Sequence, residues 1–440
     1  MRQEAVATRC QVIIIFKMEI LFSNKKKGST KIEEFFDKKN PLADNNIDEI
    51  IDTLNEISNY WLSKNFKMRD IFVRNSLGFI IPWLSKKNSL EILKLSFENY
   101  KILDDPTSFS KKNLKLFGRP CGTALHWLAG NVPVISLISL FQGLITKNKN
   151  IIKVSKSYKK LLPSIFEDIK KNLKTSKKFK KVIENILNSL LIIYVDHDDD
   201  LSLNFLSKKS DIRIIWGGEK AVTKIAKLPK KINCRDIIFG PKISIAYISK
   251  TKIQTRDNIK EFAELFVNDV FNFDQLGCNS PHNLFIEKGS KFKLIQIAEI
   301  LSRSFNKKIL KINSYTDPAN KYNILVKNFI HCLDKGNKSL SGKNFEWNIY
   351  INKQTKVEDP LYNRSIFINE VKDYNELINI MPTNTQSVGI YASHEEKKQI
   401  VKKLSYKFVD RFPEIGSMSL YQNPWDGYLP MQNMIRWISY

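Results

Sequence analysis

The feature that most constrains the fold is an alternation of short apolar runs with amphipathic segments between residues 121 and 248. The runs have the length and composition of buried strands, and the segments between them place apolar residues with a helical period. The predicted strands cover residues 122–129, 150–154, 190–195, 212–216, 236–239 and 244–248. The predicted helices cover residues 134–144, 161–173, 180–189, 201–208 and 219–227. This alternation favours an α/β fold with a doubly wound sheet, whose ligands bind beyond the carboxyl ends of the strands.

The first strand of this series ends at a turn that carries a candidate catalytic amide. Gly130 and Asn131 come directly after the strand, and Pro133 opens the next helix. The N–H groups of an asparagine amide can donate hydrogen bonds to an oxyanion. Alternatively, Asn131 caps the helix that follows. The residues alone leave both roles open.

Two further strand ends carry side chains or turns that suit a nucleotide. Two lysines and a serine lie at the end of the second strand, where cations and a hydroxyl can meet ribose and phosphate. A tryptophan and two glycines precede the helix that starts at Glu219, where backbone N–H groups can meet a phosphate. Both patterns also occur as ordinary solvated lysines and ordinary turns. The candidate cofactor residues are Lys153, Ser155, Lys156, Trp216, Gly217 and Gly218.

Cys278 lies in a loop between a predicted helix at residues 259–270 and a predicted strand at residues 283–287. Gly277 and Pro281 make this loop a tight turn that can expose a thiol at a domain boundary. A thiolate attacks carbonyl carbons, and neighbouring N–H groups or cations lower a thiol pKa enough to populate it. Cys278 is therefore the candidate nucleophile, and the alternative is a buried cysteine that acts as a small hydrophobic residue.

The length and composition of the chain, and its first 115 residues, limit the possible architectures. A length of 440 residues with 42% apolar content fits two or three globular domains, and no run reaches the roughly eighteen apolar residues of a membrane-spanning helix. Residues 30–115 are predicted to be mostly helical, with helices near 46–57 and 90–100. Residues 1–29 are predicted to be a disordered extension, or to include residues upstream of a true start at Met18.

The formal net charge of +26 invites a nucleic-acid-binding interpretation. The lysine pairs, however, are spread over the whole chain rather than concentrated in one block, so nucleic acid is the less favoured partner. An anionic ligand such as a nucleotide or a coenzyme A thioester fits the charge equally well. The five cysteines contain no CxxC pair, which favours a reducing cytoplasm and argues against a metal site.

The order and spacing of these segments resemble the aldehyde dehydrogenase superfamily. Within it, the chain is similar to the fatty acyl-CoA reductases of the bacterial bioluminescence aldehyde-supply system. The resemblance extends from about residue 118 to residue 440. The segments that carry it are residues 126–133, 153–156, 215–218, 239–242, 274–281, 411–416 and 425–427.

The resemblance implies a role for each candidate. Cys278 is the catalytic thiol, and Asn131 holds the oxyanion. The two cofactor segments receive the ribose and the dinucleotide. It also implies a Rossmann-like cofactor domain with a helical lead-in at residues 30–242, a catalytic domain at 243–410 and an oligomerisation segment at 411–440.

The implied reaction is the reduction of a long-chain acyl-CoA, or of an acyl-protein thioester, to a fatty aldehyde through an acyl-cysteine. The implied partners are an acyl-protein synthetase or acyltransferase and further copies of the chain. Three alternatives stay open: a reductase of a small acyl-CoA or acyl-phosphate, a cysteine hydrolase, and a basic nucleic-acid-binding protein.

Two departures from the family pattern lead to further expectations. Lys156 stands where NAD-linked relatives often have a glutamate, which predicts that NADPH is the preferred cofactor because a cation can meet its 2′-phosphate. Ile237, Ile238 and Phe239 stand where hydrolysing relatives have a glutamate base. We therefore expect no side chain to activate water against an acyl-cysteine.

Overall fold

Two six-stranded sheets and one small sheet organise the computed structural model, which describes residues 17–25, 31–108, 114–312 and 318–440. The strands are β1 (Glu19–Phe22), β2 (Thr107–Ser108), β3 (Lys115–Pro120), β4 (Thr123–Trp127), β5 (Lys149–Val154), β6 (Leu190–Tyr194), β7 (Ile212–Trp216), β8 (Arg235–Phe239), β9 (Ile243–Ile248), β10 (Pro281–Glu287), β11 (Lys338–Ser341), β12 (Asn348–Ile351), β13 (Ser365–Val371), β14 (Thr385–Tyr391) and β15 (Ile435–Ser439).

Helices surround these sheets. They are α1 (Ile32–Asp37), α2 (Ile47–Leu62), α3 (Arg69–Arg74), α4 (Ile80–Trp83), α5 (Lys86–Ser96), α6 (Pro133–Ile145), α7 (Leu161–Asn172), α8 (Lys177–Asn188), α9 (Asp200–Lys209), α10 (Glu219–Ala226), α11 (Arg256–Phe271), α12 (Leu294–Ile309), α13 (Pro318–Leu333), α14 (Tyr374–Ile380), α15 (His394–Leu404) and α16 (Pro430–Asn433). None of the helices in the described ranges is long and apolar enough to cross a membrane.

The first large sheet has the strand order β1-β6-β5-β4-β7-β8, and all its strand pairs are parallel except the β1–β6 pair. After β4 the chain moves outward to β5 and β6, then returns to the other side of β4 with β7. The strand order therefore reverses between β4 and β7, where doubly wound sheets open a crevice for a ligand. Strands buried on both faces explain the continuous apolar runs in the sequence.

The second large sheet has the order β11-β12-β13-β10-β9-β14 and is parallel except for the β11–β12 pair. Residues 240–242 join the end of β8 directly to the start of β9. The carboxyl edge of the first sheet therefore faces the amino edge of the second. Pro281 at the start of β10 pairs with Ser244 at the start of β9, so the loop that carries Cys278 lies at this same edge.

The small antiparallel sheet ties the end of the chain to its first half. β15 pairs with β3, from Ile435 opposite Pro120 to Ser439 opposite Leu116. The guanidinium of Arg235 donates to the backbone oxygen of Ile435 at 2.5 Å. The segment predicted to mediate oligomerisation thus contacts its own chain, and its role between subunits stays a prediction.

The predicted α/β fold is confirmed. Each predicted strand between residues 121 and 248 is present with its ends moved by at most two residues, because long apolar runs are buried on both faces. α2 begins with a capping box in which Asn46 accepts from the N–H of Glu49. The helix predicted at 90–100 is wrong in position, since α5 covers Lys86–Ser96 and a 3₁₀ turn follows at Tyr100–Leu103.

Part of the predicted N-terminal extension is ordered. Glu19–Phe22 form β1, which pairs antiparallel with β6, and Phe22 is buried against Phe166 with ring centroids 5.8 Å apart. The disordered alternative is therefore wrong for this strand. Residues 1–16 and 26–29 of the same segment lie outside the described residues, and the predicted domain boundaries stay a prediction.

Candidate active site

A cleft of about 540 Å³ lies between the facing edges of the two large sheets. Lys153 near the end of β5 and residues that follow β4, β7 and β8 line it from the first sheet, and the loop before β10 lines it from the second. Six predicted site residues contribute to its wall: Asn131, Lys153, Trp216, Gly217, Gly218 and Cys278. Ser155 and Lys156, the other two, do not.

The loop that carries Cys278 is held from several sides. Gln275, which is fully buried, donates to the backbone oxygens of Pro281 at 2.7 Å and Ser365 at 2.8 Å. Ser244 Oγ donates to the backbone oxygen of Cys278 at 2.7 Å. Asn279 donates to the backbone oxygen of Met418 at 3.0 Å. The position of the thiol is thus fixed by contacts with β9, β13 and the C-terminal segment.

The backbone of this loop is unusual. Phe273, Asp274 and Gln275 have φ values of 55°, 51° and 64°, a left-handed conformation that residues other than glycine rarely adopt. Asp274 forms an ion pair with Arg364, a buried cation at the start of β13. Strain of roughly 1–3 kcal/mol for each such residue persists only where the surrounding contacts impose it. Gln275 and Arg364 supply those contacts here.

The environment of the Cys278 thiol corrects a sequence expectation. Burial, first of all, and the nearby carboxylate of Asp426 raise the thiol pKa to about 12. A hydrogen bond from Gln386 and the charge of Arg411 act in the opposite direction without reversing the shift. The expectation that neighbouring groups lower the pKa enough to populate a thiolate is therefore wrong for the unliganded cleft.

Three residues near the thiol were not among the site residues predicted from the sequence. Gln386, at the start of β14, donates from its amide to Asp426. Asp426 also lines the cleft, and burial raises its carboxyl pKa above the ordinary value. Lys242 Nζ lies 4.0 Å from Asp426 and forms a 2.5 Å ion pair with Asp410. Asp426 thus places a buried carboxyl group on the wall of the same cleft as Cys278, and the expectation that no side chain activates water stays a prediction.

Arg411 is the cation of this group. It is buried, its guanidinium lies 4.2 Å from the centre of the Trp425 ring, and Nη2 donates to the backbone oxygen of Leu420 at 2.8 Å. Nη1 is buried with no hydrogen-bond partner among the described residues. The motifs at 411–416 and 425–427 contributed to the family resemblance in the sequence, and that signal could have suggested a role at the thiol.

Asn131 does not cap α6. The helix starts after Val132, whose side chain makes no capping bond, and the Asn131 amide donates instead to the backbone oxygen of Leu276 at 2.9 Å. Leu276 lies two residues before Cys278 on the wall of the same cleft. An asparagine amide has two N–H groups, so one remains for a ligand. The capping alternative is wrong, and the oxyanion role stays a prediction.

The end of the cleft that carries the predicted cofactor residues Lys153 and Trp216–Gly218, here called the cofactor end, is more open. Trp216 stacks on Phe239 with ring centroids 3.8 Å apart, and α10 starts at Glu219 without a side-chain cap. A side chain added at Gly218 would meet nothing within 4 Å, so the backbone of this turn faces open space. Lys153 is half-buried, and burial lowers its pKa. The turn, the uncapped helix start and the lysine fit the phosphates of a dinucleotide.

The other two ribose candidates lie beside the cleft. Ser155 Oγ is buried without a hydrogen-bond partner in the part of the chain that the structure describes. It packs below Gly130, where an added Cβ would come within 3.1 Å of the hydroxyl. Lys156 is exposed at the start of the one-turn helix Lys156–Tyr158. Neither side chain reaches the cleft wall in this conformation.

His126 and His282, two histidines near the cleft-lining strands, differ in their surroundings. His126 is a core residue whose ring nitrogens contact Ser139 Oγ at 2.7 Å and Asn150 Oδ1 at 3.0 Å, and burial lowers its pKa to about 4. His282 lines the cleft, and burial lowers its pKa to about 3, so it is neutral. Its Nδ1 is buried and has no hydrogen-bond partner within the described ranges.

A second, mostly apolar pocket of about 220 Å³ adjoins the cleft and shares Val132 and Ile135 with it. Aromatic rings form much of its wall, including Phe79 and Phe273 with centroids 5.0 Å apart. Further lining residues are Trp83, Val134, Ile138, Tyr421 and Trp425. Such a wall suits an aliphatic chain.

Comparison with known proteins agrees with this geometry. The family described as "Acyl-CoA reductase (LuxC)" matches residues 42–437. Curated relatives include the long-chain acyl-protein thioester reductases of Aliivibrio fischeri, 25% identical over 90% of this chain and 82% of the relative, and of Vibrio harveyi, 24% identical over 96% and 90%.

Solved aldehyde dehydrogenases share the fold. An NAD-dependent aldehyde dehydrogenase from Sinorhizobium meliloti has a TM-score of 0.66 at 10% identity, covering 91% of this chain and 83% of that one. NADP-dependent glyceraldehyde-3-phosphate dehydrogenase from Bacillus halodurans, complexed with NADP, has a TM-score of 0.60 at 13% identity, covering 93% and 89%. With its family match over nearly the whole length, the chain belongs to the acyl-CoA reductase (LuxC) family and has the aldehyde dehydrogenase fold.

Proposed function

We propose that this enzyme reduces a long-chain acyl thioester to a fatty aldehyde with NADPH, through an acyl thioester on Cys278. The observation that carries the proposal is the position of Cys278 on the wall of a cleft that fits a dinucleotide and adjoins an aromatic pocket. One wall can hold the cofactor while the adjoining pocket holds the acyl chain. The thiol then meets the thioester carbon between them.

Deprotonation of the thiol comes first. Asp426 is the proton acceptor in this proposal, because its carboxylate lines the same cleft and burial has raised its pKa toward that of a useful base. Arg411 and the Gln386 amide stabilise the thiolate that results. The thiolate attacks the thioester carbon, and the carbonyl oxygen becomes an oxyanion.

The oxyanion accepts hydrogen bonds from the Asn131 amide and the Cys278 backbone N–H. Its collapse breaks the bond to the donor thiolate and leaves an acyl-cysteine. Reduced nicotinamide, when bound, supplies a hydride to the acyl carbon. The resulting thiohemiacetal oxyanion collapses, the C–S bond to Cys278 breaks, and the aldehyde departs while the thiolate regains its proton.

The residues on the cofactor side have binding roles. Lys153 and the N–H groups of the Trp216–Gly218 turn would hold the phosphates, and Ser155 would contact the ribose. Lys156 contributes to the preference for NADPH. The acyl donor is acyl-CoA or the acyl thioester of a synthetase or acyltransferase partner, and the cytoplasm is the compartment. The homologues' names, which specify an acyl-protein thioester, support a protein donor.

The decisive experiment measures nicotinamide oxidation across acyl-CoA chain lengths, with Cys278→Ser as the matched control. We expect the rate to rise with acyl chain length until the second, mostly apolar pocket is filled. One aldehyde should form for each reduced cofactor that is oxidised. A maximum at the shortest chains would favour the small-acyl alternative.

One observation favours the alternative that the protein is a cysteine hydrolase, namely that the Asp426 carboxylate lines the same cleft as Cys278. This alternative predicts release of free fatty acid from labelled acyl-CoA in the absence of any nicotinamide. We expect instead that label stays on the protein, because Asp426 accepts the thiol proton and acyl burial excludes water. A nucleic-acid-binding role predicts affinity that falls steeply with salt, which a binding titration distinguishes.

A further inference from the structure

The outer side of α13 carries a large exposed apolar surface. Tyr322 is 67% exposed, Phe329 69% and Leu333 66%. Leu325, Val326 and Ile330 extend the same surface, which we call the outer face. At 3.6 residues per turn these six side chains fall within roughly 140° of the helix circumference. No lysine, arginine, aspartate or glutamate falls within that arc, although such residues make up 26% of the chain.

The helix cannot hide this face by rotating, because its inner side is fixed. Ile324 is fully buried, and Lys327 forms a 2.8 Å ion pair with Glu358. His331, also buried, contacts the backbone oxygen of Lys338 at 3.2 Å, and its ring lies 5.1 Å from that of Tyr350. A rotation that buried the outer face would break these contacts, expose Ile324 and leave Lys356 as the remaining ion-pair partner of Glu358.

The size of the face suits a subunit interface. Its six side chains expose on the order of 600 Å² of apolar surface, the upper limit for the largest patch on a typical monomer. A standard interface buries about 800 Å² on each partner, which the face and its rim can supply. Because each copy has a formal charge of +26, copies repel one another unless they meet through an uncharged surface.

We infer that α13 pairs with α13 of a second copy, antiparallel and about a two-fold axis, through the outer face. A two-fold contact places the same surface on both sides. Centred between Lys327 and Asn328, the pairing stacks Val326 on Phe329 of the second copy and Tyr322 on Leu333 of the second copy. Both layers are apolar, as the contact positions of packed helices require.

The mass of the full chain in solution tests the inference without any substrate, so its outcome is independent of the proposed reaction. Sedimentation velocity should show an even-numbered assembly. Val326→Glu combined with Phe329→Glu should halve its mass, because the repelling carboxylates meet at the centre of the contact. Ile232→Glu is the matched control, since Ile232 is fully exposed elsewhere, and it should leave the mass unchanged.

A cross-link provides a second readout that does not depend on the folding of a charged variant. Leu325 and Cys332 lie on the same side of the outer face, and the pairing brings them within about 3 Å of each other along the axis. Leu325→Cys should therefore form an intermolecular disulfide under mild oxidation, and Cys332→Ser in that background should abolish it.

Three results would overturn the inference. The first is a wild-type chain that sediments as a monomer, whether or not it binds lipid vesicles through α13. The second is an assembly that keeps its full mass in the doubly charged variant while that variant retains the wild-type circular dichroism spectrum. The third is a Leu325→Cys chain that stays uncross-linked in a confirmed assembly.

Discussion

The two ends of the cleft are built differently. At the thiol end, Cys278 and its surroundings are fixed by hydrogen bonds to side chains of β9, β14 and the C-terminal segment and to backbone oxygens of Ser365 and Met418. At the cofactor end, the Gly217–Gly218 turn leads into α10, which has no buried residue, and Lys156 points outward. The thiol end is thus buried and held from several sides, whereas the other end is an open surface, which in our proposal the bound cofactor completes. Changes at the thiol end should consequently have the larger effects.

The largest effect is expected for Cys278→Ser. A serine hydroxyl is a far weaker nucleophile than a thiolate, so acyl-CoA reduction should fall by roughly a thousandfold or more. Cofactor binding, measured by nicotinamide fluorescence, should stay within about twofold of wild type because the other end of the cleft is untouched. Retention of more than about a tenth of the activity would remove Cys278 from the nucleophile role.

Asn131→Ala should have the second largest effect on activity. Loss of one oxyanion donor costs roughly 10²–10³ in kcat. The substitution also removes the 2.9 Å bond to Leu276, which helps to position the Cys278 loop. Asn131→Asp serves as the matched control, because it keeps the size of the side chain while a carboxylate repels an oxyanion. A kcat unchanged in both variants would return Asn131 to a purely structural role.

Val134→Phe tests the apolar pocket next to the thiol. The larger side chain should displace two or three methylene groups of a long acyl chain, each contributing about 0.8 kcal/mol of burial. We expect kcat/KM for long chains to fall by roughly 10- to 50-fold. Short acyl-CoA substrates in the same variant are the control and should change little. An equal loss for both would indicate damage to α6 rather than a filled pocket.

Asp426→Asn should have two effects of opposite sign. Because the Asp426 carboxylate helps to raise the thiol pKa, its removal lowers that pKa and should speed alkylation of Cys278 severalfold at about pH 8. Turnover should fall by roughly tenfold or more because the proton acceptor is gone. In both proteins alkylation should accelerate as the pH rises, with wild type needing the higher pH.

Asp410→Asn is the matched control for this pair of effects. Asp410 is bound to the same lysine, Lys242, but is not among the groups that shift the thiol pKa. It should change alkylation and turnover much less. Slower alkylation in Asp426→Asn would contradict the electrostatic account of the thiol.

The smallest effect is expected at the cofactor end. Lys156→Glu should raise the KM for NADPH more than the KM for NADH, by less than about tenfold because an exposed lysine is well screened by solvent. Lys160→Glu, an exposed lysine four residues further on, is the control. Equal changes in the two KM values would show that Lys156 does not contact the 2′-phosphate.

The sequence predicted the positions of the strands, helices and loops around the site better than it predicted the contacts and charges of the side chains. Cys278 and the residues after β4, β5 and β7 could be identified because each lies at a fixed place relative to a strongly periodic helix or strand. The position of α5 was missed by four residues, since its amphipathic pattern continues into the 3₁₀ turn at Tyr100–Leu103. Asn131 looked like a helix cap because sequence cannot reveal an acceptor 145 residues away.

The sequence by itself determined the α/β fold, the positions of the strands and helices that build the first sheet, and the loop that carries the thiol. These features could be predicted because hydrophobic periodicity and turn residues act over a few residues. Only the tertiary structure decided the state of that thiol. Asp426, Gln386 and Arg411 are more than a hundred residues from Cys278 in the chain, and burial together with their charges sets its pKa. Electrostatics depends on distance in space and on exclusion of water, and neither is written in the local order of residues.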